Sequence, residues 1–387
     1  MRSCTIPCLM LAVLSYAGCG IASVESAQVT RLDSAGIEIV SNMSNDRVLN
    51  WHFEREWILG GAGDDRLAVA ELARHAVGAD SMGRAYVLDT AARRVLIISR
   101  TGLVVDSLGR PGPGPGELEQ PEALSVDLAG NVAVYDRAKA ALVRWSAAGA
   151  LLNPLRIAAD VIGPAVALTA SGVMFTGFDA DRPGPDHQRL MAWTDSSQQT
   201  LARMTRLPYH RADFPSCGLH GVNIAPLFAP ELVWQAVGNR VAVSSNTEYV
   251  VDIIEAGRLR RSVRRSLAPR PVTEAMALRQ VGNGVFVAAT QCTIPATELV
   301  AGRGYAQVMP SVKAVALSPG GELWVQRAAV ADESSPIDVF TNAGEYLGLV
   351  ALSAPFPAVF IAEDRILATE VDSLGVAQLG AYRVRRQ

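Results

Sequence analysis

Lysine is almost missing from this chain. Of 35 basic side chains only Lys139 and Lys313 are lysine, and the rest are arginine, which stays charged at any working pH and grips carboxylates with a planar fork. A net charge of −3 excludes a nucleic-acid partner, because such partners are held by neutralising many phosphates. The one basic run, Arg258-Leu-Arg-Arg-Ser-Val-Arg-Arg265, alternates as the solvent face of an outer strand does. Beyond the N-terminus no apolar run approaches the ~20 residues that span a bilayer. Histidine is also scarce: His52, His75, His187, His210 and His220 show no i, i+4 spacing. There is no Cys-x-x-Cys, so a zinc site has no frame. A Gly-x-Ser-x-Gly elbow is absent too, which leaves an α/β-hydrolase mechanism without an anchor.

What stands at the N-terminus reads as an export signal. Met1-Arg2 is a short basic start, Ile6 to Tyr16 an apolar core, and Ala17-Gly18-Cys19 follows. Small residues before that Cys resemble a bacterial lipobox, in which the Cys is acylated and becomes N-terminal. The expectation is a lipoprotein-type signal peptide over 1–18, lipidation at Cys19 and a flexible tether over 19–35. The product is then extracytoplasmic and membrane-anchored, in the periplasm or at the cell surface. Tyr16 stands where the motif carries Leu, which keeps open cleavage after Ala22 and a secreted product. Cys4 and Cys8 leave with the signal. Cys217 and Cys292 remain, an even pair in an oxidising compartment, and predict one disulfide, with two buried thiols as the alternative.

The rest of the chain repeats. Asp80-Ser-Met-Gly-Arg-Ala-Tyr-Val-Leu-Asp89 lies over Asp127-Leu-Ala-Gly-Asn-Val-Ala-Val-Tyr-Asp136 at an offset of 47 residues, so Gly83 matches Gly130 and Asp89 matches Asp136. Each copy continues into an apolar run that closes on a glycine, Gly102 or Gly149. A period of 40 to 50 residues marks an array of supersecondary units, and turn–strand–turn–strand is the pattern of a propeller blade. Weaker copies begin near Ala167, Val237, Val315 and Ala358, giving six. The reading is all-β: a six-bladed β-propeller over 36–387, with N- and C-terminal strands closing the ring and one loop/helix insertion over 267–310. Gly36-Ile-Glu-Ile-Val40 is the expected partner of the last strand, ending at Val384. Inside the insertion Thr273 caps a helical stretch to Gln280. A bridge from Cys217 to Cys292 would pin the insertion to the ring.

Between the first two copies stands Leu108-Gly-Arg-Pro-Gly-Pro-Gly-Pro-Gly-Glu-Leu-Glu-Gln-Pro121. With Asp127, Gly130 and Asp136 after it, the segment resembles the NHL-repeat signature, and the chain is similar to the bacterial six-bladed β-propeller family of exported NHL-like proteins. A phosphate-binding loop would need a following helix and a Lys-Ser/Thr, whereas here a strand follows. The glycines instead allow a tight crossover between blades, with Arg110 and Glu117 as repeat positions. Six-bladed relatives include gluconolactonase-like and paraoxonase-like enzymes that hold a divalent cation in the central channel with Glu, Asn and Asp. The amidating-lyase type uses His ligands, and His210 and His220 flank Cys217.

Recurrence separates structure from catalysis. Asp80, Asp127, Asp89 and Asp136 fall at equivalent positions, as turn-forming carboxylates do, so no catalytic, cofactor-binding or metal-binding residue is assigned. Arg93, Arg94 and Arg137 stand ready to pair with Asp89 and Asp136. Trp145, Trp193 and Trp324 lie in strands, as packing residues rather than sugar platforms. The sequence therefore favours a binding module without a cofactor that meets a protein, peptide or glycan through the ring mouth and the insertion. The alternative is a metal-assisted hydrolase or lactonase with a divalent cation.

Overall fold

A computed structural model describes residues 29–67, 72–157, 161–169, 172–178, 187–193, 197–205, 207–245, 248–351 and 353–386. The signal sequence, Cys19 and most of the loop at 182–187 lie outside them. Six four-stranded antiparallel blades follow one another: blade 1 over 77–108, blade 2 over 121–156, blade 3 over 161–205, blade 4 over 233–265, blade 5 over 312–350, and blade 6 over 359–386 completed by Trp51–Gly60. The first strand of each blade touches the first strand of the next, and that of blade 6 touches that of blade 1, so the inner strands encircle an axis. The protein is a closed six-bladed β-propeller.

One turn chemistry explains the repeat. Asp80 accepts from the amides of Met82 and Arg84 (both 3.0 Å), and Asp127 accepts from the amide of Asn131 at 2.8 Å. Gly83 and Gly130, with φ of +80° and +92°, donate back to the carbonyls of Asp80 and Asp127. Glycine adopts that left-handed backbone without a Cβ penalty. Other turns keep the spacing with other acceptors: the hydroxyls of Ser99, Ser146, Ser318 and Thr341, and the carboxylate of Asp372, accept from the amide four residues on. The spacing is kept while the residue varies, which is why later copies match weakly.

Middle strands read as unbroken apolar runs because both faces are covered. Side chains alternate across a strand, and in blade 4 Val241 and Val243 pack against blade 3 while Ala242 packs against blade 5. Every blade–blade junction carries such a cluster, including the one shared by blades 6, 1 and 2. Trp324, fully buried, meets Trp51, Phe53 and Phe360 at centroid distances of 5.6 to 6.1 Å.

Two expectations about the N-terminus are corrected. The strand that closes the ring is Trp51–Gly60, antiparallel to Ala377–Arg386, not the segment at Gly36–Val40. That segment belongs to Ile37–Asn42, which pairs in parallel with the outer strand Arg258–Arg265 of blade 4. Residues 29–34, read as the end of a tether, form a further strand paired with Ile37–Asn42, so blade 4 has six strands. Between these pairings the chain is clasped. Asp338, fully buried, accepts from Arg265, Arg327 and the Tyr249 hydroxyl at 2.5 to 3.0 Å. Both arginines also reach Asp46 at 2.6 to 2.9 Å. The Arg327 hydrogen bond holds the Asp46 carboxyl down at about 2.

The insertion contains helix α1 (Glu274–Val281) capped by Thr273, a short hairpin of Val285–Val287 with Cys292–Ile294, and helix α2 (Ala296–Arg303). Cys217 and Cys292 form a disulfide with a Cα–Cα distance of 5.6 Å. It joins the insertion to a second excursion, the hairpin His210–Phe214/Leu219–Ile224, through shared packing of Phe214, Ile294 and Leu299. Arg270 and Arg279 tie the insertion to Glu333 and Asp332 in blade 5.

Asp136 accepts from three amides, Glu119, Gln120 and Lys139, whereas Asp89 accepts from Ala92 and pairs with Arg94 at 3.5 Å. In urea denaturation Asp136→Ala should therefore lower stability by about 1–3 kcal/mol, since buried donors lose their acceptor. Asp89→Ala should cost less, and equal losses would contradict the assignment.

Candidate functional site

The inner strands enclose a cavity of about 220 Å³ on the ring axis. Its wall comes from five blades: Val77, Gly78 and Ala79; Leu124 and Val126; Val166 and Ala167; Trp234 and Ala236; Ala358 and Val359. Short side chains are what let six strands converge. At Gly78 an added Cβ would lie 2.5 Å from Val126 Cγ2, so blades 1 and 2 meet at this depth only because position 78 carries no side chain.

Inner strands have one free edge, and buried backbone groups there need partners. Side chains provide them. Ser125 Oγ accepts from the Leu168 amide at 2.7 Å, joining blades 2 and 3. Gln235 of blade 4 donates to Ala358 O and accepts from the Leu317 amide, both at 2.8 Å, joining blades 5 and 6.

Arg74 is different in kind. It sits in the 3-10 turn Arg74–Ala76 that leads into the inner strand of blade 1, and it reaches toward blades 5 and 6. There Nη2 donates to Val315 O at 3.0 Å and Pro357 O at 2.9 Å, while the guanidinium lies 4.6 Å from the Phe356 ring centroid. Its Nε is buried with no partner, as are those of Arg94 and Arg265, and among the described residues no carboxylate pairs with Arg74. Desolvation pulls its pKa down to about 10. Three other buried or largely buried arginines have acids: Arg265 and Arg327 share Asp338 and Asp46, and Arg365 has Glu56, whereas Arg303, like Arg74, bonds a carbonyl, that of Ala225. His75 lines the same cavity, and no Asp or Glu does.

The positions singled out from sequence have other surroundings. Gly83, Gly130, Asp89 and Asp136 build turns away from the cavity wall. Arg137 pairs with Glu122 at 2.8 Å rather than with Asp136. Arg110 and Glu117 meet at 2.9 Å, Glu117 also accepts from the Gly114 amide at 2.8 Å, and these bonds lower its pKa. Lys139 donates to the carbonyls of Pro113, Gly114 and Glu117, folding the glycine-rich connector on itself. His210 bonds Gly302 O, His220 lies 3.8 Å from Asp213, and His187 meets Thr205. Among the described residues no three His, Cys, Asp or Glu side chains group as metal ligands would. No residue of the insertion lines the axial cavity.

Comparison with known proteins agrees with this architecture. Residues 78–179 match the model of a family, DUF5128, described as a 6-bladed beta-propeller. A Bacteroides fragilis structure, described as that of a candidate exported protein, superposes with a TM-score of 0.53 at 13% identity, over 90% of this chain and 99% of that one. A DUF4221-family protein of Bacteroides vulgatus (TM-score 0.49, 8% identity, 88% and 100% covered) is more distant. So is an Agrobacterium tumefaciens regucalcin, described as calcium-binding (0.39, 11%, 82% and 94%). None of the curated proteins matches the chain. At such identities the likeness speaks for the fold alone.

The close approach at Gly78 is testable. Gly78→Ala should cost about 1–3 kcal/mol through overpacking, read by thermal or urea unfolding. Val126→Ala in the same chain should restore only part of the loss, because Val126 Cβ itself lies 2.9 Å from the added Cβ. An unchanged midpoint for Gly78→Ala would contradict the packing described.

Proposed function

We propose that the protein is exported, lipid-anchored at Cys19, and binds a ligand at the ring mouth rather than turning one over. The observation that carries this reading is the chemistry of the axial cavity, whose wall is mostly aliphatic with His75, Ser125, Gln235, Trp234 and one guanidinium, and carries no carboxylate. A metal-assisted lactonase needs acidic or amide oxygens facing the channel to hold a cation that activates water, and the cavity wall offers no such acidic group. Small-ligand sites are mostly apolar with a few placed polar groups, as here. The connectors that precede inner strands share one face of a propeller, so Arg74, the connector at 109–117 and the insertion at 267–310 stand on the same side. A protein, peptide or glycan meeting that face would touch the insertion and the mouth together.

Export rests on the N-terminal pattern and on the description of the Bacteroides fragilis protein. No helix among the described residues is long and apolar enough to cross a membrane. Nine residues separate Cys19 from Val29. At ~3.3–3.6 Å per residue, an acylated Cys19 would hold the outer edge of blade 4 within roughly 35 Å of the bilayer.

Two measurements test the reading. Metal analysis of the purified protein should find no stoichiometric divalent cation, and EDTA or added calcium should leave Tm unchanged. One ion per chain with a rise in Tm would favour the hydrolase instead. Cys19→Ser should release the protein from the membrane fraction, and unchanged fractionation would overturn the lipid anchor.

A further inference from the structure

The binding reading above leaves the ligand unnamed, and Arg74 narrows it. A guanidinium placed for structure alone is costly in a nonpolar channel, where an apolar side chain of similar volume would serve as well or better. At Arg265, Arg327 and Arg365 the protein gives the charge a carboxylate of its own. At Arg74 the only acceptors are two neutral carbonyl oxygens, both on Nη2, and Nε is buried without any. Among the described residues no acid pairs with the positive charge, and the side chain is partly buried at the cavity wall. It faces a cavity of about 220 Å³ whose wall carries His75, Ser125, Gln235 and Trp234 beside its Val, Ala and Leu side chains.

From this geometry we propose that the axial cavity binds a small organic carboxylate with an apolar body, its carboxylate taken by the Arg74 guanidinium. The inference rests on the binding reading and deepens it. At ~30 Å³ per water-sized group, the cavity holds roughly seven heavy atoms, the size of a short fatty acid. Ser125 and Gln235 on the wall already serve Leu168, Ala358 and Leu317, which leaves few donors for inorganic phosphate or partners for a neutral polar solute, while the Val, Ala and Leu side chains suit an apolar body. Arg74 also bridges Val315 and Pro357, so a bound carboxylate would lie where blades 1, 5 and 6 meet. Occupancy would stiffen the ring at that junction.

Calorimetric titration of the full mature chain tests this with sodium butyrate, butyramide and sodium phosphate as probes. Butyrate should bind saturably and raise Tm, while butyramide and phosphate bind at least about tenfold more weakly, the scale of one charge-assisted hydrogen bond. Arg74→Met should lower butyrate affinity by about the same factor and leave the unfolding transition cooperative. If Arg74→Met does not fold, the wild-type comparison of butyrate with its isosteric amide decides. Equal affinity for the two, tighter binding of phosphate, or no butyrate binding would each overturn the proposal. The metal and chelator titration addresses the broader binding reading separately, so failure of one is distinguishable from failure of the other.

Discussion

The antiparallel pairing of Trp51–Gly60 with Ala377–Arg386 turns six stacked sheets into a ring. Without it blade 6 would have three strands and an open edge, and the cluster shared by blades 6, 1 and 2 would lose Leu59. All-β chains with open edges risk pairing with other chains; a propeller leaves only short, protected edges, and in blade 6 the outermost strand is Trp51–Gly60 itself. Charge reinforces the pairing: Glu54 meets Arg385 and Glu56 meets Arg383, both at 2.9 Å, and Glu56 also takes Arg365. These partly exposed pairs add little energy, but they favour one register over a slipped one.

The segment before that strand adds a second constraint. Residues 29–42 extend blade 4, Asn42 bonds Gly344 O and the Tyr346 amide of blade 5, and Asp46 joins the Asp338 network. The N-terminal chain thus runs over three consecutive blades before it closes the ring. Taking one member from the buried Asp338 cluster would leave an uncompensated charge, which is where such networks are fragile.

Much of the fold was legible because a propeller repeats its turn chemistry, and the Asp–Gly and Ser–Gly spacings of 80/83, 127/130 and 318/321 survive where other residues drift. Gly36–Val40 and Trp51–Trp57 both alternate, and alternation alone does not name which of them meets the last strand. Glu54 and Glu56 against Arg383 and Arg385 were the available signal. The candidate site was hardly visible. Arg74 draws its meaning from Val315 and Pro357, 241 and 283 residues away, and no local pattern encodes that contact. The acidic repeat positions, which do stand out, turned out to serve turns.

Taken together, the ring is a rigid frame around a narrow axial space, and its chemistry is decided by which residues the convergent inner strands leave room for. That dependence makes closure the claim to test first. Native-state hydrogen exchange read by mass spectrometry compares the peptides covering 51–60 and 377–386 directly. If the two strands complete one blade, their amides exchange together and only through the slowest, global opening. Rapid exchange of 51–60 while 377–386 stays protected would contradict the account.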